Sequence, residues 1–162
     1  MPFSKVSAFL LILLFFLTTA CRKDTIYEVD PFTVQQPDVS KPSMKTDQEF
    51  ISIAYKDLFN AEIATNDLNT LMTAYAAVGD KSVVIDRIIR NFLERSGANI
   101  PTSPQMRADI PAFVEGTYKR FYGRKPNEME AWYLTNLIQQ DTALAPQTVY
   151  YSFLTSDEYR FY

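Results

Sequence analysis

The chain has 162 residues, a formal net charge of −3, one cysteine and no histidine. That length supports about one domain once a leader is removed, and the mild negative charge gives no basis for a nucleic-acid partner. The missing histidine excludes Ser-His-Asp and Cys-His catalysis, histidine-ligated zinc and axial histidine on haem; no metal and no cofactor are expected.

The N-terminus carries the clearest signal. After Lys5 comes an unbroken apolar run, Ala8 to Leu17, then the small residues Thr18-Thr19-Ala20, then Cys21, the lone cysteine. A charged start, a short apolar centre and small residues at the end are the order of a secretory signal peptide. The run is short for a membrane span, which needs about 20 apolar residues. With Cys21 placed directly after the small residues, the segment is similar to a bacterial lipoprotein signal, whose lipobox ends in the cysteine that becomes acylated. The resemblance implies that residues 1–20 are cleaved and that Cys21 becomes the lipidated first residue, attaching the protein to a membrane. Arg22 stands where inner-membrane retention resembles an aspartate, so the outer membrane is the expected site. Arg22-Lys23-Asp24 resembles the surface-export tags of some lineages, and both faces of that membrane remain open.

Residues 21–45 hold Pro31, Pro37 and Pro42 among polar residues without helical periodicity, and read as an extended tether. From residue 46 to 162 the punctuation is helical. Thr46-x-x-Glu49 is a capping box that opens a helix to about Asn60. Thr65 or Asn66 can cap a second helix, with the stripe Leu68, Leu71, Met72, Tyr75 and Val78, ending at Gly79. Asp80 or Ser82 starts a third, whose Val84, Ile85, Ile88, Ile89, Phe92 and Leu93 form one wide apolar face; Gly97 closes it. Ala98 to Ser103, with Pro101 and Pro104, reads as a connector. A fourth helix runs from about Asp109, with Pro111 in its first turn and Gly123 at its end. Asn127-x-x-Glu130 is a second capping box, starting a helix with Met129, Trp132, Tyr133 and Leu137. Pro146 opens the next, with Val149, Tyr150, Phe153 and Leu154, and Ser156 caps a final turn. No stretch shows period-two alternation between hairpin turns. The fold class is all-α, a compact bundle of about six helices.

The helices repeat. Phe50-x-x-x-x-Tyr55-Lys56-x-x-Phe59 aligns with Phe113-x-x-x-x-Tyr118-Lys119-x-x-Tyr122, and Asp67 and Leu71 fall opposite Glu130 and Leu134. The pattern predicts two duplicated three-helix units. The segment from Thr117 to Tyr133, with Gly123-Arg124-Lys125-Pro126 before the acidic residues and Trp132-Tyr133 after them, resembles phycobilisome-linker-like helical repeats of bacterial surface and secreted proteins. Phe153 to Tyr159 is similar to the end of the same unit. In the first half Asn60-Ala61-Glu62-Ile63 stands where Gly-Arg-x-Pro would. The resemblance implies an all-α scaffold that acts through protein contacts, with no catalytic residues.

Two clusters could carry a function. Lys119, Arg120, Arg124 and Lys125 interleave with aromatics and could bind an anion; alternatively, the arginine after the helix-ending glycine caps carbonyls and pairs with acids such as Glu128 or Glu130. Trp132, Tyr133, Tyr150, Tyr151, Tyr159 and Tyr162 hold aromatic doublets that cannot both face inward, so some of them could anchor a protein partner. The carboxylate pairs Glu128/Glu130 and Asp157/Glu158 sit in first helical turns, where acids favour the macrodipole. The expected function is therefore a lipid-anchored accessory or adaptor subunit without catalytic residues. The alternative is a small glycan- or cell-wall-binding protein with weak carboxylate-based hydrolysis, which would place Trp132 in a cleft with opposed acids.

Overall fold

The chain divides into two units, Met1–Val39 and Ser40–Tyr162. The structure, a computed structural model, describes residues 43–161, all in the second unit. The signal peptide, Cys21, most of the tether and Tyr162 lie outside the described residues.

Among the described residues eight helices follow one another: α1 (Asp47–Phe59), α2 (Thr65–Ala77), α3 (Lys81–Glu94), α4 (Ser103–Ala108), α5 (Ile110–Tyr122), α6 (Glu128–Gln140), α7 (Pro146–Leu154) and α8 (Asp157–Arg160). The described residues form no strand, only an isolated bridge between Met44 and Phe161, and the domain is all-α as the periodicity predicts. No described helix is long and apolar enough to cross a membrane.

The caps explain the boundaries. Thr46 and Glu49 close the predicted box on α1, Asp80 accepts from the Ser82 and Val83 N–H groups at the start of α3, and Asp109 accepts from Ala112 N–H at the start of α5. The second helix differs from its prediction. Its N-cap is Ala64, which makes no side-chain bond, and Thr65 is already helical. The α3 helix ends at Glu94, before Gly97, with Arg95 as its cap. The predicted connector at Ser103 opens a short helix instead, because Thr102 and Gln105 form a third capping box that tolerates Pro104 in its first turn.

α1, α2 and α3 pack on one another, α5 packs on α6, α7 and α8, and α3 against α7 joins the halves. The predicted face of α3 is wholly buried, together with Phe50, Ile51, Ala54 and Leu58 of α1 and Val149, Tyr150, Phe153 and Leu154 of α7. α1 and α5 are both 13 residues long and both end on a left-handed residue, Asn60 and Gly123. Their successors α2 and α6 also have 13 residues each but differ in their N-caps, Ala64 without a side-chain bond and Asn127 in a capping box. The halves part in burial: α2 has no fully buried residue, and Val78 at its end is exposed.

The tether reading stops short of Lys45. This residue is buried; its N–H donates to Arg160 O at 2.8 Å, and its ammonium donates to the carbonyls of Tyr159 and Phe161. A lysine in an extended polar stretch reads as solvent-facing, but here three C-terminal carbonyls solvate it. The chain therefore enters the domain beside its C-terminal turn.

Ile89 is fully buried whereas Val83, on the same helix, is exposed. Urea melts should show Ile89→Ala losing about 2–5 kcal/mol through lost transfer energy and a cavity, while Val83→Ala stays within about 0.5 kcal/mol of the parent.

Candidate functional site

The Gly123 backbone, at φ 70°, turns the chain at the end of α5 and delivers Arg124 into the gap between α6 and α8. All five guanidinium N–H donors of Arg124 are used. Nη1 and Nη2 each donate to a Glu130 oxygen at 2.7 Å. Nε and Nη2 donate to the two oxygens of Glu158 at 2.7 and 2.8 Å, and Nη1 also reaches Lys125 O at 3.1 Å. The guanidinium carbon lies 5.2 Å from the Tyr118 ring centroid and 5.7 Å from that of Tyr122.

Glu130 is shared with the predicted capping box: its Oε2 accepts from Asn127 N–H while Glu130 N–H donates to Asn127. Burial pushes the Glu130 carboxyl up, but the bonds from Arg124 and Asn127 outweigh it and hold the group below its ordinary value. The same two glutamates raise the Arg124 pKa further above its ordinary value.

The far end of α6 is also held by an arginine. Arg107 of α4 donates to the carbonyls of Ile138 at 2.6 Å, Asp141 at 2.8 Å and Leu144 at 3.2 Å, satisfying carbonyls that the helix end leaves open. Between these two anchors α6 buries Leu134 and Ile138. Its opposite face is apolar too: Met129 is 70% exposed, Trp132 63%, Tyr133 61% and Leu137 38%. The predicted stripe is therefore the outer face of the helix, not its packing face.

The basic cluster is dispersed into structural roles. Arg124 has no donor left for an anion, and Lys125 pairs with Glu115 at 2.9 Å. Arg120 turns inward, donating to Asp57 O at 2.7 Å and Asn99 O at 2.8 Å; its Nη2 is buried without a hydrogen-bond partner among the described residues. Lys119 is exposed, as is Lys125 despite its ion pair. Three of the four cations of the expected anion cluster are thus engaged by carbonyls and carboxylates of their own domain.

The aromatic set divides as well. Trp132 and Tyr133 are exposed. Tyr150 and Tyr159 are core residues and do not face a partner. Tyr159 donates to Asp57 Oδ2 at 2.7 Å; burial raises the pKa of both groups, most strongly for the tyrosine. Tyr151 is half-buried, donates to Asp86 and lies under Arg90, whose guanidinium is 4.3 Å from its ring. Tyr162 lies outside the described residues.

A cleft of about 490 Å³ opens where α1, α3, α7 and α8 meet, with Phe50, Ile85 and Leu154 inside and Asp86, Asp157 and Arg160 among its polar groups. Trp132 does not line it. The Asp86 carboxyl is held below its ordinary value by bonds from Tyr151 and Arg90, the opposite of the raised pKa that a general acid requires.

Sequence reasoning missed Arg107, Lys45 and the second partner of Arg124. Glu158 was visible only as a first-turn acid of α8, and no spacing rule links it to residue 124. Compared with family models, with curated proteins and with solved structures, the chain matches none.

A carboxylate whose folded pKa lies below its unfolded value stabilises the fold above the unfolded value and loses that contribution as pH falls through the folded one. Arg124→Gln should therefore cost about 1–3 kcal/mol at pH 7, between the values for an exposed pair and for a fully buried one, because the network is only partly buried. The gap to the parent should narrow as pH drops below the ordinary glutamate range of about 4.3, measured by urea unfolding of both proteins across pH.

Proposed function

We propose that this chain is a lipid-anchored accessory or adaptor subunit of the outer membrane or cell surface, acting through protein–protein contacts and not by catalysis. The observation that carries the reading is the outer face of α6. Four large apolar side chains at helical spacing stand in solvent on a helix fixed at both ends. Monomeric proteins rarely leave such a contiguous patch unused, and tryptophan and tyrosine in rigid settings are the residues that anchor interfaces.

Three features agree with it. The signal and Cys21 supply attachment, the proline-bearing tether supplies reach, and the resemblance of the second half to phycobilisome-linker-like repeats points to a scaffold. The glycan-binding alternative draws on the same exposed Trp132. It has less support, because Trp132 lies away from the cleft and Asp86 is held as a carboxylate.

The test is co-purification of the C-terminally tagged protein from detergent-solubilised membranes. A stoichiometric partner should appear with the parent and fall at least tenfold with Trp132→Ala/Tyr133→Ala, a loss on the order of 1.4 kcal/mol or more, with the melting temperature unchanged. Recovery of the protein alone would refute the accessory-subunit reading, and retention of soluble glycan by the parent would then favour the alternative.

A further inference from the structure

We infer that Met129 is a reversible oxidation site, where a peroxide-class oxidant converts the thioether to a sulfoxide and so weakens docking on the outer face of α6. The inference rests on the accessory-subunit reading and adds a chemical control of that same face.

The methionines differ in their access to solvent. Met129 is 70% exposed and Met44 66%, whereas Met106 is fully buried and Met72 is partly buried against the core. Met1 lies outside the described residues. Oxidation of sulfur side chains follows exposure, so Met129 and Met44 are the thioethers that a small oxidant reaches while the domain stays folded. On the lipid-anchored reading the Cys21 thiol is taken up by its acyl chain, which leaves the thioethers as the sulfur open to attack.

Of these two, Met129 alone belongs to α6. It stands three and four positions before Trp132 and Tyr133, the spacing that puts side chains on one helix face. Its sulfoxide is polar and a strong acceptor, and an acceptor buried at an interface without a donor costs the complex its desolvation. The helix is not free to rotate the oxidised group away, because Arg124 grips its first turn and Arg107 the carbonyls at its far end. Its inward face is carried by Leu134 and Ile138, which have no sulfur, and Met106 is shielded. Oxidation therefore changes the surface and leaves the fold intact.

The step is a two-electron oxygen transfer. The sulfur lone pair attacks one peroxide oxygen, an S–O bond forms as the O–O bond breaks, and the proton of the transferred oxygen passes to the other, which leaves as water. Sulfur is oxidised and the peroxide reduced. Two thiols of a sulfoxide reductase reverse the change, returning the thioether and ending as a disulfide with release of water.

The experiment treats the full-length tagged protein in detergent-solubilised membranes with graded hydrogen peroxide and follows each methionine by mass spectrometry. Met129 and Met44 should convert about tenfold or more faster than Met106 in the folded protein, and at equal rates in urea. As Met129 converts, recovery of the stoichiometric partner should fall about fivefold or more, with the melting temperature of the tagged protein unchanged, and should return after treatment with methionine sulfoxide reductases and dithiothreitol. Met129→Leu, which keeps Met44, should hold its partner at the same peroxide dose. Met129 oxidising no faster than Met106 would overturn the inference. So would a partner retained by fully converted protein, or one lost equally from the parent and Met129→Leu; all three results leave the accessory-subunit reading standing. Absence of any partner before peroxide is added would overturn that reading and this inference with it.

Discussion

The Arg124 guanidinium joins three helix ends that the chain brings together from separate places. A charge taken out of water must find partners that repay its desolvation, and here two carboxylates and a carbonyl use every N–H it has. Paired forks of this kind fix angles as well as distances. With Glu130 and Glu158 both bound, the first turn of α6 and the turn of α8 are set relative to the end of α5. That setting decides which side of α6 meets the core, so Leu134 and Ile138 point inward while Trp132 and Tyr133 remain outside.

The first half of the domain shows what happens without this device. Asn60 closes α1 in the same left-handed conformation that Gly123 adopts after α5, but Ala61 stands in the place of Arg124. Ala64 then caps α2 without a side-chain bond, where Asn127 and Glu130 form a box on α6. The consequence is a helix of equal length that contributes Leu68, Leu71, Met72 and Tyr75 only as partly buried residues. The second half, by contrast, presents the apolar face of α6 to solvent.

Local chemistry was legible in the sequence, and through-space chemistry was not. The boxes at Thr46/Glu49 and Asn127/Glu130 and the broad apolar face of α3 depend on residues within a few positions of each other, and they stand where periodicity puts them. The α6 stripe was visible too, but its direction was not. Leu134 and Ile138 offer one apolar face while Met129, Trp132 and Tyr133 offer another, and a helix that is apolar on two sides has no inward face that pattern alone can choose. Lys45 defeats composition rules in the same way: its burial depends on carbonyls more than a hundred positions away. The partners of Arg107 and Arg124 are equally remote, which is why a cluster that reads as a basic patch becomes a set of internal fasteners.

The account turns on Arg124 holding α6 in its presenting orientation, and backbone hydrogen exchange tests that most directly. In Arg124→Gln under native conditions, the amides of α6 and α8 should lose protection together while those of α1 and α3 keep theirs. Unchanged protection of α6 would contradict the account, because the outer face would then be positioned without the guanidinium.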